Sequence, residues 1–163
     1  MQTLLLCGTF LVIGFVAGVI CICKYIDWRQ GKDRKYMEKL NRDKNMLDQW
    51  LILKEEGIDL YSALGQKDIK RIAVYGMGIF GRHLIRELRK IDLDLLYAID
   101  RKIMSPFIGV NVFRPEENPP QVDLIINTVI IEHQNITEAL KNYFKCPIVN
   151  LEDIIFESYP VDR

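Results

Sequence analysis

Histidine is scarce in this chain, which has two histidines and four cysteines among 163 residues. Zinc sites need four Cys or His ligands at short spacings, and disulfide-built domains need paired cysteines along the whole chain. No CxxC pair is present, and three of the cysteines, Cys7, Cys21 and Cys23, share one apolar run while Cys146 stands alone. The composition therefore indicates reduced thiols and predicts no metal site.

An excess of either charge is also missing, because 22 basic residues balance 22 acidic ones. Domains that bind nucleic acid usually carry surplus Lys and Arg, since their affinity depends on attraction to phosphates. No nucleic-acid partner is expected, and the length leaves room for one domain with attachments.

Charged residues are absent before Lys24, and the run from Leu4 to Cys23 is apolar almost throughout. About twenty helical residues span roughly 30 Å, enough to cross the bilayer core. A cleaved signal peptide would have a basic start and a small-x-small cleavage site. Only Met1, Gln2 and Thr3 precede the run, and no Ala-x-Ala follows it. Residues 1–23 are therefore predicted to form a transmembrane anchor, with the lipid bilayer as partner.

The flanks of this run are asymmetric, because basic residues follow it and none precedes it. Such asymmetry places the basic side in the cytoplasm. We expect a single-pass protein of the cell (inner) membrane whose C-terminal domain is cytoplasmic, with Tyr25 and Trp28 at the interface. The basic residues are Lys24, Arg29, Lys32, Arg34 and Lys35.

Residues 24–66 are predicted to form a charged helical linker that ends near Gly57, followed by a short helix from the N-cap Asp59 to Leu64 before Gly65. Two features of the sequence favour a homodimer. One is the GxxxG pair Gly14 and Gly18 in the anchor, and the other is a short coiled-coil seam in the linker. The seam is Met37, Leu40, Lys44, Leu47 and Leu51. The preferred alternative is that the end of the linker packs on the following domain through Leu47, Trp50, Leu51 and Leu53.

A glycine-rich turn opens the domain predicted over residues 67–163. The β-rich run 71–75 leads directly into Gly76-Met77-Gly78-Ile79-Phe80-Gly81, and residues 80–91 then show helical apolar spacing. A GxGxxG string between a strand and a helix is typical of dinucleotide-binding domains. Gly76 would permit the tight turn, Gly78 the approach of a phosphate, and Gly81 close packing of the helix. Amides at the helix start, including those of Ile79 and Phe80, would meet the phosphate.

An acid closes the next strand, since the run 95–99 ends in Asp100 about twenty residues after the glycines. Asp100 would accept hydrogen bonds from ribose hydroxyls, which favours NAD. Arg101 follows directly, and a basic residue there suits the 2′-phosphate of NADP. The predicted cofactor is therefore NAD or NADP, with a nucleotide-sugar as the alternative ligand.

Three further strands are predicted, over 110–113, 123–129 and 147–150, with helices over 132–144 and 151–156. The fold class is α/β: a small, doubly wound, parallel Rossmann-like sheet preceded by a single transmembrane helix and a helical linker. Asn127 and Thr128, at the carboxyl end of the fourth strand, are candidate ligand contacts, with end-of-strand capping as the alternative.

The segments IAVYGMGIFGRHLIREL, YAID, GVNVFRPEE, VDLIINTV and CPIVNLEDII resemble small NAD(P)-binding Rossmann-like domains of bacterial polysaccharide-biosynthesis proteins. They are also similar to the nucleotide-sugar-binding domain of sialic-acid and bacillosamine-type acyltransferases. The resemblance implies a role in surface-polysaccharide or nucleotide-sugar biosynthesis. Those acyltransferases continue into a left-handed β-helix with the catalytic histidine, and no such segment follows Arg163 here.

Catalytic groups are hard to find in the sequence, so whether the chain is an enzyme stays open. His133 is the histidine nearest the expected ligand edge, and no Ser/His/Asp set or Tyr-x-x-x-Lys pair is visible. The first hypothesis is a membrane-anchored nucleotide-binding accessory or regulatory module. The alternative is an NAD(P)-dependent oxidoreductase or sugar-nucleotide-modifying enzyme completed by a partner or second subunit.

Overall fold

A computed structural model of the protein describes residues 2–64, 69–102, 105–130 and 133–158. The side chains of residues 2–13, 17, 63 and 133 lie outside this description, as does the predicted helix stop at Gly65. The chain divides into two compact units, Met1–Asn45 and Met46–Arg163.

The first unit is helical and belongs to α1, which runs from Gln2 to Glu55. The transmembrane helix predicted over residues 4–23 is thus helical, but its membrane crossing is not supported by the structure. Among the residues that the structure describes, no helix combines the length and the apolar character needed to cross a bilayer. Much of the predicted span, residues 4–13 and 17, has side chains outside the description. Near the predicted interface, the rings of Tyr25 and Trp28 lie 6.2 Å apart.

The second unit alternates strands and helices. It begins with the last ten residues of α1, and the chain then turns at Gly57, whose φ is +76°. The side chain of Asp59 accepts a hydrogen bond from Ser62 N at 2.8 Å, which confirms the predicted N-cap. The elements that follow are α2 (Leu60–Ala63), β1 (Arg71–Tyr75), α3 (Ile79–Leu88), β2 (Leu95–Ile99), β3 (Val112–Phe113), a 3-10 helix (Pro115–Glu117), β4 (Leu124–Asn127), α4 (His133–Leu140), β5 (Ile148–Asn150) and α5 (Leu151–Glu157).

The five strands form one parallel sheet, as the sequence predicts, and their order is β3-β2-β1-β4-β5. Its neighbouring pair β1 and β4 marks the point where the strand order reverses direction. In open sheets of this kind, ligands bind beyond the carboxyl ends of the strands at that reversal. The architecture is a small Rossmann-like α/β fold, and it places the ends of β1 and β4, Tyr75 and Asn127, side by side.

Two apolar layers cover the two faces of the sheet. One layer contains α3 and α5 together with the end of α1, and the other contains α4. Met46, Trp50 and Leu53 are buried in the first layer, at helical spacings of four and three residues. The predicted packing of the linker end is therefore right for Trp50 and Leu53. It is wrong for Leu47 and Leu51, which are 37% and 57% exposed and lie off that buried face.

An ion pair joins the starts of two neighbouring strands. Arg71, the first residue of β1, donates from Nη2 to Asp123 Oδ1 at 2.6 Å, and its backbone amide donates to Oδ2 of the same carboxylate at 2.9 Å. These hydrogen bonds stabilise the ionised carboxylate. They lower the pKa of Asp123 from 3.8 to about 2.

Acid should therefore lower the stability of the domain over the pH range in which Asp123 becomes protonated. A group whose pKa is depressed on folding stabilises the fold above its unfolded value, and that contribution is lost as the pH falls toward the folded value. We expect the midpoint of unfolding to fall as the pH drops from 3.8 toward about 2. The fall should be shallower in Asp123→Asn when both proteins are melted across this range. Identical acid profiles for the two proteins would contradict this assignment.

Candidate functional site

The glycine-rich turn begins where β1 ends. Gly76 has a φ of +93°, in the left-handed region that side chains with a Cβ rarely adopt. A Cβ added there would lie 2.9 Å from Thr128 Oγ1 and 3.0 Å from Val129 Cγ2. Glycine at position 76 is therefore required by the backbone conformation and by the closeness of the segment that follows β4.

Gly81 also has no space for a side chain. A Cβ added to it would lie 1.8 Å from the carbonyl oxygen of Gly76, a distance at which the backbone itself must move. The first turn of α3 thus rests directly on the turn that precedes it. This is the close packing of helix on strand that the sequence predicts for the third glycine.

Gly78 is different from both. It is the N-cap of α3 with a φ of −68°, and a Cβ added to it would meet nothing within 4 Å. Neither the conformation of the backbone nor its packing requires glycine here. The space above Gly78 is open.

Backbone amides line this opening. The first hydrogen bond of α3 runs from Arg82 N to Gly78 O at 3.2 Å, so helix geometry supplies no acceptor to the amides of Gly78, Ile79 and Phe80. The positive end of the helix dipole lies at the same place. Ile79 is 50% exposed at the opening, whereas the side chain of Phe80 is buried. The arrangement suits a negatively charged group.

The carboxylate of Asp100 is hydrogen-bonded to the backbone of the glycine-rich turn. Its Oδ2 accepts from Met77 N at 2.8 Å, and its Oδ1 accepts from Lys102 N at 2.7 Å. These bonds fix the carboxylate next to the glycines, where the sequence predicts it. They also give Asp100 a structural role, because it links the end of β2 to the glycine turn.

A charged cluster surrounds the end of β1 on the other face of the sheet. Burial raises the pKa of the Tyr75 phenol, while the nearby Arg101 lowers it and the carboxylates of Asp100 and Glu116 raise it further. Arg101 is exposed and acts on the Tyr75 phenol. Its predicted contact with a ligand stays a prediction.

The two candidate contacts at the end of β4 are bonded within the chain. Thr128 Oγ1 lies 2.9 Å from the carbonyl oxygens of both Tyr75 and Gly76, and its single O–H can donate to either. Asn127 accepts from Val129 N at 3.0 Å and donates to Asn150 Oδ1 at 3.2 Å. Both residues are buried. Their polar atoms cap the strand and support the turn, and contact of either residue with a ligand stays a prediction.

The structure describes the side chain of one of the two histidines, His83. His83 lies on α3, and its ring is nearly perpendicular to that of Trp50, with the ring centroids 6.2 Å apart and an interplanar angle of 77°. His133 is the first residue of α4, and its side chain lies outside the described residues. Within the described part of the chain, no group of three or more His, Cys, Asp or Glu side chains is placed to hold a metal ion.

Glu87 is a residue that the sequence analysis missed. It is a buried acid on α3 that accepts from Trp50 Nε1 at 3.2 Å and from Leu60 N at 2.8 Å, and it pairs with Lys54. One carboxylate therefore holds the end of α1 and the start of α2 against α3. The sequence does carry a signal for it. Residue 87 follows Leu84 by three positions, so this acid falls on the apolar face of the helix, where a buried carboxylate needs partners.

Comparisons of the chain with protein-family models, with curated proteins and with solved structures found no match in any of the three.

Proposed function

We propose that the chain is a nucleotide-binding accessory or regulatory module that binds NAD or NADP, with a nucleotide-sugar as the alternative ligand. The observation that carries this proposal is the contrast among the three glycines of the turn. Gly76 and Gly81 are enclosed by neighbouring atoms, whereas Gly78 is open. Close approach of a ligand phosphate gives a physical reason for glycine at a position that the fold leaves unconstrained.

The other residues of the site fit such a ligand. The amides of Gly78, Ile79 and Phe80 would hold the phosphates at the start of α3. Asp100 is fixed beside them and would accept hydrogen bonds from the ribose. Arg101 is exposed and would attract a 2′-phosphate. In this proposal Asn127 and Thr128 act by shaping the turn.

The wider setting of the proposal comes from the sequence. The resemblance to small domains of bacterial polysaccharide-biosynthesis proteins supports a role in assembling surface polysaccharides. The apolar run 4–23 and the basic residues after it support attachment to the cell membrane with the domain in the cytoplasm. Homodimers through the GxxxG pair or the linker belong to the same proposal.

Replacing Gly78 by valine should abolish nucleotide binding while the domain stays folded. A Cβ at this position meets no protein atom within 4 Å but occupies the space that a phosphate needs. The midpoint of unfolding is measured with and without NAD, NADH, NADP and a set of UDP- and CDP-sugars. A ligand present at about one hundred times its Kd stabilises the wild type by about 2.7 kcal/mol, and Gly78→Val should lose this shift.

Gly31→Val is the matched control, because Gly31 also has no atom within 4 Å of an added Cβ and lies outside the turn. Its ligand-induced shift should equal that of the wild type. The proposal fails if no nucleotide shifts the midpoint, or if Gly78→Val keeps the full shift. A shift with one class of compounds alone identifies the ligand.

Membrane attachment is tested separately in intact cells. An epitope fused after Arg163 should be protected from added protease until the cells are permeabilised, and the protein should sediment with membranes through washing at high salt. Deleting residues 4–23 should release it. Cleavage of the epitope in intact cells would contradict the proposed orientation, and a washed-off protein would contradict the anchor.

A further inference from the structure

A groove of about 400 Å³ lies on the outside of the second unit, between the end of α1 and α3. Its apolar surface comes from Leu47 and Leu51, which are 37% and 57% exposed, and from the neighbouring Trp50. Apolar side chains exposed together in a concave surface are typical of a site that another helix fills. The remaining lining residues are Lys54, His83, Arg86, Glu87 and Lys90.

The rim of this groove is basic. Arg86 and Lys90 are exposed on α3. The acid of the lining, Glu87, is buried and already paired with Lys54. The groove therefore presents positive charge around an apolar floor, although the chain as a whole has no net charge. An occupant of matching chemistry is a helix that carries an apolar side chain flanked by carboxylates.

α5 of the same chain has this chemistry on its outer face. Asp153, Phe156 and Glu157 are exposed at positions i, i+3 and i+4, so they share one side of the helix. Phe156 is 47% exposed and lies on the same side of α5 as the two carboxylates. The opposite side of α5 is buried in the core through Leu151, Ile154 and Ile155.

The groove and α5 lie on the same side of the sheet, because Trp50, Leu84 and Ile155 belong to one apolar layer. A two-fold axis on that side can bring the α5 of each copy to the groove of the other. Such a contact is made twice and closes on itself, so it forms a dimer and not a chain of copies. We infer that a second copy of this chain docks the acidic, Phe156-bearing face of its α5 in the groove. This inference is independent of the proposed nucleotide binding, and it is an alternative to a homodimer through the linker seam, because both contacts use Leu47 and Leu51.

Pairs of engineered cysteines test the inference on the full-length chain. The four native cysteines are replaced by serine, and Leu51→Cys and Phe156→Cys are made as separate, differently tagged proteins. When the two are mixed under mild oxidation, a disulfide between Leu51→Cys and Phe156→Cys should form in preference to either homodimer. An absent mixed disulfide, or a prevailing disulfide between two Leu51→Cys chains, overturns the inference.

Charge exchange supplies the second measurement. Lys90→Glu in the Leu51→Cys protein should lower the rate of the mixed disulfide by about tenfold, because it sets like charges against each other. Glu157→Lys in the Phe156→Cys protein should restore most of that rate, since it re-establishes opposite charges. Both positions are exposed, so the two variants should fold as the parent does. A rate unaffected by Lys90→Glu, or one that Glu157→Lys fails to restore, also overturns the inference.

Discussion

Replacing Gly81 by alanine should destabilise the second unit by about 3 kcal/mol or more, enough to lower its unfolding midpoint by roughly 10 °C. The added Cβ would lie 1.8 Å from the carbonyl oxygen of Gly76, and a backbone atom cannot move aside as a flexible side chain can. An ordinary glycine inside a helix gives the opposite result, because alanine stabilises helices by about 1 kcal/mol relative to glycine. A loss of stability in Gly81→Ala indicates that glycine is needed for packing against Gly76, whereas a gain indicates an ordinary glycine inside a helix.

Gly78→Ala is the matched comparison for this prediction. The same Cβ is added three residues earlier in the chain, where it meets no atom within 4 Å. We expect a change within about 1 kcal/mol, reflecting only the weaker N-capping of alanine. Urea unfolding of both variants measures the difference. Equal stabilities for Gly78→Ala and Gly81→Ala would contradict the packing described here.

Replacing Glu87 by alanine should cost about 3 kcal/mol and loosen the end of α1 from α3. The substitution leaves the indole N–H of Trp50 and the backbone amide of Leu60 without their acceptor, and unsatisfied buried donors cost about 1–3 kcal/mol each. The fluorescence of Trp50 reports the change directly if Trp28, which is 64% exposed, is first replaced by phenylalanine. We expect the emission of Trp50 to become that of a solvated indole at lower urea concentration than in the parent protein.

Lys54→Met tests the other end of the ion pair. The side chain of Lys54 is 40% exposed and remains partly solvated in the pair. Removing its charge should cost less than Glu87→Ala does, because the two N–H donors still stabilise the buried Glu87 carboxylate. Equal losses for Lys54→Met and Glu87→Ala would mean that the ion pair, and not the two buried hydrogen bonds, holds α1 in place.

The sheet was predictable from the sequence because its signals are local. The runs 71–75 and 95–99 are found at the predicted residues, since each is an apolar run ended by a glycine or an acid. β3 begins two residues later than the prediction of Val110. The reason is that Ile108 and Gly109 adopt positive φ and form a tight turn in which Phe107 and Val110 exchange backbone hydrogen bonds.

The partners of the polar side chains were not predictable, because they depend on segments distant in sequence. Thr128 reaches the carbonyl of Gly76 across 52 positions, and Glu87 binds Trp50 across 37. A single sequence shows that Thr128 follows a buried strand but not whether its hydroxyl meets a ligand or a backbone carbonyl. The sequence also does not show that the space next to Gly78 is free, because this depends on the atoms that surround each of the three glycines in the fold.

The edges of the sheet limit how this protein can associate. β3 and β5 are the outer strands, and they contain two and three residues. Such short edges expose few unpaired amides and carbonyls, so an incoming strand from another chain gains few hydrogen bonds by adding to them. Strand addition and edge-to-edge aggregation are therefore disfavoured by the length of these strands. Stable contacts with other protein chains are therefore expected on the helical layers, where side chains rather than backbone groups form the contact.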